Sequence, residues 1–184
     1  MNRLLRWTVV GRWAAALALA LAAAAGQAQT SNAASAYRLD LHFVDDHGAP
    51  RALAEWHGRL VVIAMAYGAC RSVCSSTLRT LEEVQAAADR KGVAIEFVVV
   101  SIAPAEDTPQ AWAQWRQSRR LLRPNWTFLS GRPEPTRALA RFMGVRFWNY
   151  DEHVMHDFKV LRLAPDGAVA ATLDWNHRGV DALL

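Results

Sequence analysis

Apolar and polar residues alternate through YRLDLHFVD (37–45), the period of two that marks a strand buried on one face. Two later runs lose that alternation. RLVVIAMAY (59–67) is continuously apolar and AIEFVVVSI (94–102) nearly so, as strands covered on both faces are. Between them TLRTLEEVQAAADRKG (77–92) places Leu78, Leu81, Gln85 and Ala88 along one helical stripe, and Gly92 supplies a C′ stop. EDTPQAWAQWRQSRRLL (106–122) starts a helix with Thr108 as N-cap and Pro109 at its first position. NWTFLSG (125–131) reads as a short strand and EPTRALARFMG (134–144) as a helix stopped by Gly144. FKVLRLAPDGAVAATLDW (158–175) is two alternating strands joined through Ala164-Pro165-Asp166-Gly167, a hairpin signal. The order predicts an α/β fold, a mixed central sheet flanked by helices with a C-terminal β-hairpin.

The first 28 residues fit none of these patterns. They carry Arg3, Arg6 and Arg12, no acidic residue, an Ala/Leu-rich run from Trp13 to Ala25, and then GQAQT. A basic start, a short apolar run and small residues at a processing point make a secretory signal, with cleavage expected after Ala28. The alternative is an uncleaved membrane anchor, although spanning a bilayer takes about 20 apolar residues. Export with arginine flanks implies a bacterial periplasm. Residues 29–36, including SNAAS, read as a flexible linker, and residues 37–184 as one domain.

Losing the three leader arginines lowers the formal charge from +4 to +1, which removes the argument for a nucleic-acid partner. The arginine-rich run Arg116–Arg123 reads as a solvated helix face. Trp126 and Trp148 are expected in the core because they flank apolar strands, and Trp112 and Trp115, three apart, face it from one helix.

The candidate chemistry lies in YGACRSVCSST (67–77), which holds both cysteines of the chain, Cys70 and Cys74. They follow the carboxyl end of a buried strand and precede a helix, the edge where α/β proteins collect their active groups. A helix starting near Ser72 or Val73 puts Cys70 in the loop and Cys74 in the first turn, where the dipole favours thiolate over thiol. A structural disulfide across so short a loop removes little unfolded-state entropy. Redox exchange and ligation of a soft metal both remain open. Among the six histidines, His47 and His57 read as surface residues, His42 as solvated or at the core edge, and His177, near the C-terminus, has no assigned role. His153 and His156 stand out in NYDEHVMHDFKV (149–160), with Met155 and three carboxylates beside them.

The mature chain resembles the Sco/SenC family of copper proteins along nearly all of its length. GAPRALAEWHGRLVVIAMAYGACRSVCSSTLRTL resembles the family's approach to its CxxxC motif, with Gly58-Arg59 before the strand and Tyr67 before the loop. VVVSIAPAEDTP, WTFLSG and LARFMGVRFW match in order and kind. HDFKVLRLAPDGAV resembles the segment in which the metal-binding histidine precedes a hairpin ending in Pro-Asp-Gly.

The resemblance implies a thioredoxin-like fold with an inserted hairpin, copper held as Cu(I) or Cu(II) by Cys70, Cys74 and His156, and His153 as a neighbour. It also implies delivery of copper to a copper-accepting subunit of a terminal oxidase, in assembly of cytochrome c oxidase, with a thiol reductant as a second partner. The alternative is a thiol–disulfide oxidoreductase that reduces a target's cysteines through Cys70 and Cys74.

The chain departs from the family where CPDVCP is usual: here Cys70-Arg71-Ser72-Val73-Cys74-Ser75 replaces an acidic residue with a cation. Ala103-Pro104 stands where Asp-Pro is common. Two thiolates and a neutral imidazole leave a negative complex with Cu(I) and a neutral one with Cu(II), so Arg71 suits the monovalent ion.

Overall fold

The computed structural model describes residues 34–69, 73–151 and 153–184. The leader and its expected cleavage point lie outside the described residues. No described helix is long and apolar enough to cross a membrane.

Among the described residues nine strands and three α-helices follow one another. The predicted strand–helix alternation holds for the core, and three short strands (50–52, 147–150 and 153–156) are added to it. The strands are β1 (His42–Asp45), β2 (Pro50–Ala52), β3 (Val61–Ala66), β4 (Glu96–Ser101), β5 (Trp126–Gly131), β6 (Phe147–Tyr150), β7 (His153–His156), β8 (Val160–Leu163) and β9 (Val169–Leu173). The helices are α1 (Val73–Lys91), α2 (Pro109–Arg119) and α3 (Pro133–Met143). Seven strands form one mixed sheet in the order β2-β1-β5-β4-β3-β8-β9, and β6 and β7 form a separate two-stranded sheet. β3, β4 and β5 run parallel, and the antiparallel strands β1 and β8 flank them.

Burial follows the sequence pattern. All six residues of β3 and five of the six in β4 are buried, as the loss of alternation requires. Leu81, Gln85 and Ala88 are buried along α1, while Leu78 is only half-buried. Gln85 is satisfied there: its side-chain oxygen accepts from Asn125 Nδ2 and Trp126 Nε1. Thr108 caps α2 by accepting from the Ala111 N–H at 3.2 Å, ahead of Pro109. Gly92 and Gly144 take the left-handed conformation, with φ of 65° and 63°, where a Cβ is disfavoured.

Four expectations need correction. The first strand is shorter than its alternation: Ala36–Arg38 is a 3₁₀ turn capped by Ser35, and Asp40 at φ 46° breaks the extended run before β1. Ser35 and Ala36, read as linker, are buried; Ser35 bridges Ala168, and its hydroxyl donates to the Asp166 carbonyl at 2.6 Å. Arg116 does not belong to a solvated face. It is buried against Asp46, Nη1 to Oδ2 at 2.6 Å, because the guanidinium also satisfies the Leu121 and Arg123 carbonyls where α2 ends. Trp148 is 49% exposed and not in the core, since it sits on the outward face of the β6–β7 hairpin.

Candidate metal centre

β3 delivers the chain to the cysteine loop. Tyr67, directly after it, is buried, and Gly68 is held by side chains on both of its backbone polar groups. Its N–H donates to Asp107 Oδ1 at 3.0 Å, and its carbonyl accepts from Trp115 Nε1 at 3.0 Å. Asp107 is fixed in turn. Its Oδ2 accepts from the Ser101 hydroxyl at 2.6 Å, and its backbone carbonyl accepts from the Ser130 hydroxyl. Ser101 Oγ also accepts from the Ala103 N–H at 2.9 Å. Burial pushes the Asp107 carboxyl above the usual carboxylate range, and the hydrogen bonds from Ser101 and Gly68 pull the other way.

Space at position 68 is tight: a Cβ there would lie 3.1 Å from Asp107 Oδ1, which would have to shift by a few tenths of an ångström, and in ordinary contact with the Trp115 ring at 3.5 Å. Cys70 lies outside the described residues. Cys74 is the second residue of α1, in its first turn as expected, and its side chain is likewise outside the described set.

The histidine arrives from the hairpin. β6 and β7 pair antiparallel, with Phe147 opposite His156, Trp148 opposite Met155 and Tyr150 opposite His153. His156 is 5% exposed, and its Nδ1 sits 2.9 Å from the Asp157 carbonyl oxygen. A carbonyl can only accept, so Nδ1 carries the proton in that contact and a neutral ring has its lone pair on Nε2. The His156 ring meets the Tyr67 ring edge-on, at 6.3 Å between centroids and 75° between planes. Two segments 89 positions apart in the chain therefore meet three residues before Cys70.

The foot of the hairpin is closed twice. Asp157 N–H donates to the Arg146 carbonyl at 3.0 Å, and Arg146 Nε and Nη2 donate to the two Asp157 carboxylate oxygens at 2.9 and 3.2 Å. That pair holds the carbonyl that orients His156, and Arg146 keeps the Asp157 carboxyl below its usual range.

The other histidines stay on the surface. His42 lies 3.2 Å from Asp40, His177 lies 3.2 Å from Asp174, and His47 and His57 are exposed. His153 is exposed on the outward face of β7. Among the described residues no three His, Cys, Asp or Glu side chains gather as a metal site, and the two thiols lie outside that set. Asp107 and the Arg146–Asp157 pair are the residues that sequence reasoning missed. Tyr67 and Trp115, named from the sequence as a loop marker and a core residue, prove to contact His156 and Gly68. The Asp of Glu-Asp-Thr-Pro was the available signal, but it was absorbed into a helix start. A cleft of about 410 Å³ between Pro104, Arg132, Phe147 and Asn149 borders the hairpin.

A family model described as SCO1/SenC matches residues 28–183. The chain is similar in fold to the crystal structure of Arabidopsis thaliana ScoI with copper bound, at 21% identity and a TM-score of 0.68, covering 78% of this chain and 90% of that one. It is similar to Bradyrhizobium japonicum ScoI with copper bound, at 20% identity and a TM-score of 0.64, covering 78% and 92%. It is also similar to BsSco, a member of the Sco family of cytochrome c oxidase assembly proteins in which a disulfide switch was identified. There the identity is 16% and the TM-score 0.68, covering 83% of this chain and 96% of that one. A comparison with curated proteins finds no match.

Proposed function

The chain belongs to the SCO1/SenC family, and from that premise we propose that it is an exported copper carrier that loads a copper-accepting subunit of a terminal oxidase. Cys70, Cys74 and His156 hold the cargo. The observation that carries the reading is the meeting of His156 with Tyr67, which brings the one buried histidine to the strand end that leads into CxxxC. Relatives with the same fold hold copper. Two thiolates and one imidazole suit Cu(I) in trigonal geometry and accept Cu(II) when a further weak donor approaches.

Each described residue has a task in this scheme. Asp157 fixes the tautomer that leaves the His156 lone pair on Nε2. Asp107 and Trp115 fix Gly68, so the loop leaves β3 in one direction. Starting α1 at Val73 puts Cys74 in the positive field of the helix, which favours its thiolate. The cargo leaves by ligand exchange with the recipient's own donors, and the thiols must be reduced before the next ion binds. The leader directs the chain to the periplasm, where it is cleaved after Ala28.

The second reading, a thiol–disulfide oxidoreductase acting through Cys70 and Cys74, draws on the helix start beside Cys74. One experiment separates the two. The reduced mature chain is titrated with copper without oxygen, beside Cys70→Ser, Cys74→Ser and His156→Ala. Stoichiometric Cu(I) uptake that weakens in each cysteine variant, with His156 needed for Cu(II)–thiolate absorption, is expected. Absence of tight copper binding together with a readily cycling Cys70–Cys74 disulfide would transfer the protein to the redox class.

A further inference from the structure

The outward face of the β6–β7 hairpin collects residues that the buried site does not use. In this register Trp148 stands opposite Met155, and Tyr150 stands opposite His153. Alternation puts these four on one face, because Phe147, Val154 and His156 between them are half-buried or buried on the other. Directly opposed side chains in such a pair have Cβ atoms about 4.5–5.5 Å apart, and same-strand neighbours two positions apart share the face. The face is open: Trp148 is 49% exposed, Tyr150 65% and Met155 39%. A tryptophan, a tyrosine and a methionine left in water together on one short hairpin have no packing explanation.

Their chemistry has a common theme. An imidazole nitrogen and a thioether sulfur are donors that a soft monovalent ion accepts and that hard divalent ions use poorly. The neighbouring indole offers a π-face to a cation. Phe147–His156 contains no lysine or arginine and carries Asp151 and Glu152, so the local charge attracts a cation. We propose that His153 and Met155, with Trp148 beside them, form a second, solvent-facing site for Cu(I) on the opposite face of the hairpin that carries His156.

With two donors and open access the outer site binds more weakly and exchanges faster than a buried three-donor site. Its role as a loading point rests on the copper-carrier reading above, while its existence does not. Transfer inward is ligand exchange with no change in oxidation state: the ion leaves the thioether and imidazole and is taken up by the thiolates and the His156 ring.

The test uses the mature chain carrying Cys70→Ser and Cys74→Ser, titrated without oxygen with Cu(I) supplied as its acetonitrile complex. The readout is the NMR signal of the Met155 methyl together with tryptophan fluorescence. A saturable shift of that methyl is expected, accompanied by quenching that Trp148→Phe removes. His153→Gln is expected to weaken the binding by roughly tenfold or more, as loss of one of two donors should. Thermal unfolding of the exposed-site variants without metal checks that they remain folded.

A Met155 methyl that does not move, or one that responds identically in the His153→Gln variant, overturns the outer site. The same titration on the unsubstituted chain tells the two ideas apart. Tight uptake there with a silent Met155 leaves the carrier reading standing and removes only this inference. Failure of tight uptake with a responsive Met155 does the reverse.

Discussion

Asp107 is one carboxylate on which the geometry at the exit of β3 depends. Its carboxylate accepts from Gly68 at the exit of β3 and from Ser101 at the end of β4, and its backbone carbonyl, just before α2, accepts from Ser130 in β5. Burial raises its pKa, and the sign of the consequence follows from that direction. A carboxyl whose folded pKa lies above its unfolded value stabilises the fold most when protonated, and that contribution is lost as pH rises through the folded pKa. Asp107→Asn stays neutral at every pH and keeps an oxygen for the Gly68 N–H. The variant's melting temperature, relative to the unsubstituted chain, is therefore expected to rise as pH is raised from about 4, the ordinary carboxylate value, toward 7. A difference that stays flat across that range would show that Asp107 is not destabilised by burial in its ionised form. Spacing and resemblance single out Cys70, Cys74 and His156 in the sequence, and of these the structure describes only the His156 side chain, buried beside Tyr67. Asp107 was not legible there, because its value depends on the fold bringing positions 68 and 107 together.

At the scale of elements, periodicity predicted every strand of the parallel core and the three described α-helices, since burial on both faces or on one stripe leaves a strong pattern. The β6–β7 hairpin escaped it. Phe147–Tyr150 is too short to show a period, and a two-stranded sheet with one face in water does not reveal from sequence which face is inward. Trp148, expected in the core because it flanks an apolar strand, lies instead on the exposed face of this hairpin. The misreading of Arg116 has a different source. Four arginines between 116 and 123 look alike in a charge pattern, yet only Arg116 points at a buried acid and at the two carbonyls left where α2 ends in the left-handed Arg120. Arg116→Ala leaves Asp46 buried and unpaired, and is expected to cost about 3–5 kcal/mol in urea unfolding. Arg116→Met with Asp46→Leu removes both charges and should recover much of that loss. A double variant no more stable than Arg116→Ala would show that the carbonyl contacts, and not the stranded charge, set the cost.

For the molecule as a whole, the start of the described chain closes the sheet's far side. Ser35 donates to the Asp166 carbonyl at 2.6 Å, and Ala36 N–H donates to the Gly167 carbonyl at 2.9 Å, in the turn between β8 and β9. Gly167 sits at φ 83°, and a Cβ there would fall 2.6 Å from Ser35 Oγ and 2.5 Å from the Tyr37 ring, so turn and N-terminal segment are fitted to each other. Composition alone could not reveal this, because Ser, Asn and Ala read as linker until a partner surface exists for them. The segment ties the last hairpin, three and four residues beyond the strand β8 that pairs with β3, to the first described residues. A chain beginning at Tyr37 loses both hydrogen bonds and the buried Ala36 side chain, whereas one beginning at Gln29 keeps them. The shorter chain is expected to be less stable by about 1–3 kcal/mol, from two net hydrogen bonds. That is a melting-temperature drop of roughly 2–4 °C per kcal/mol for a domain of this size. Gly167→Ala in the longer chain should destabilise in the same direction, by forcing the same two segments apart. Equal melting temperatures for the two lengths would mean that residues 35 and 36 lie on the domain without holding it.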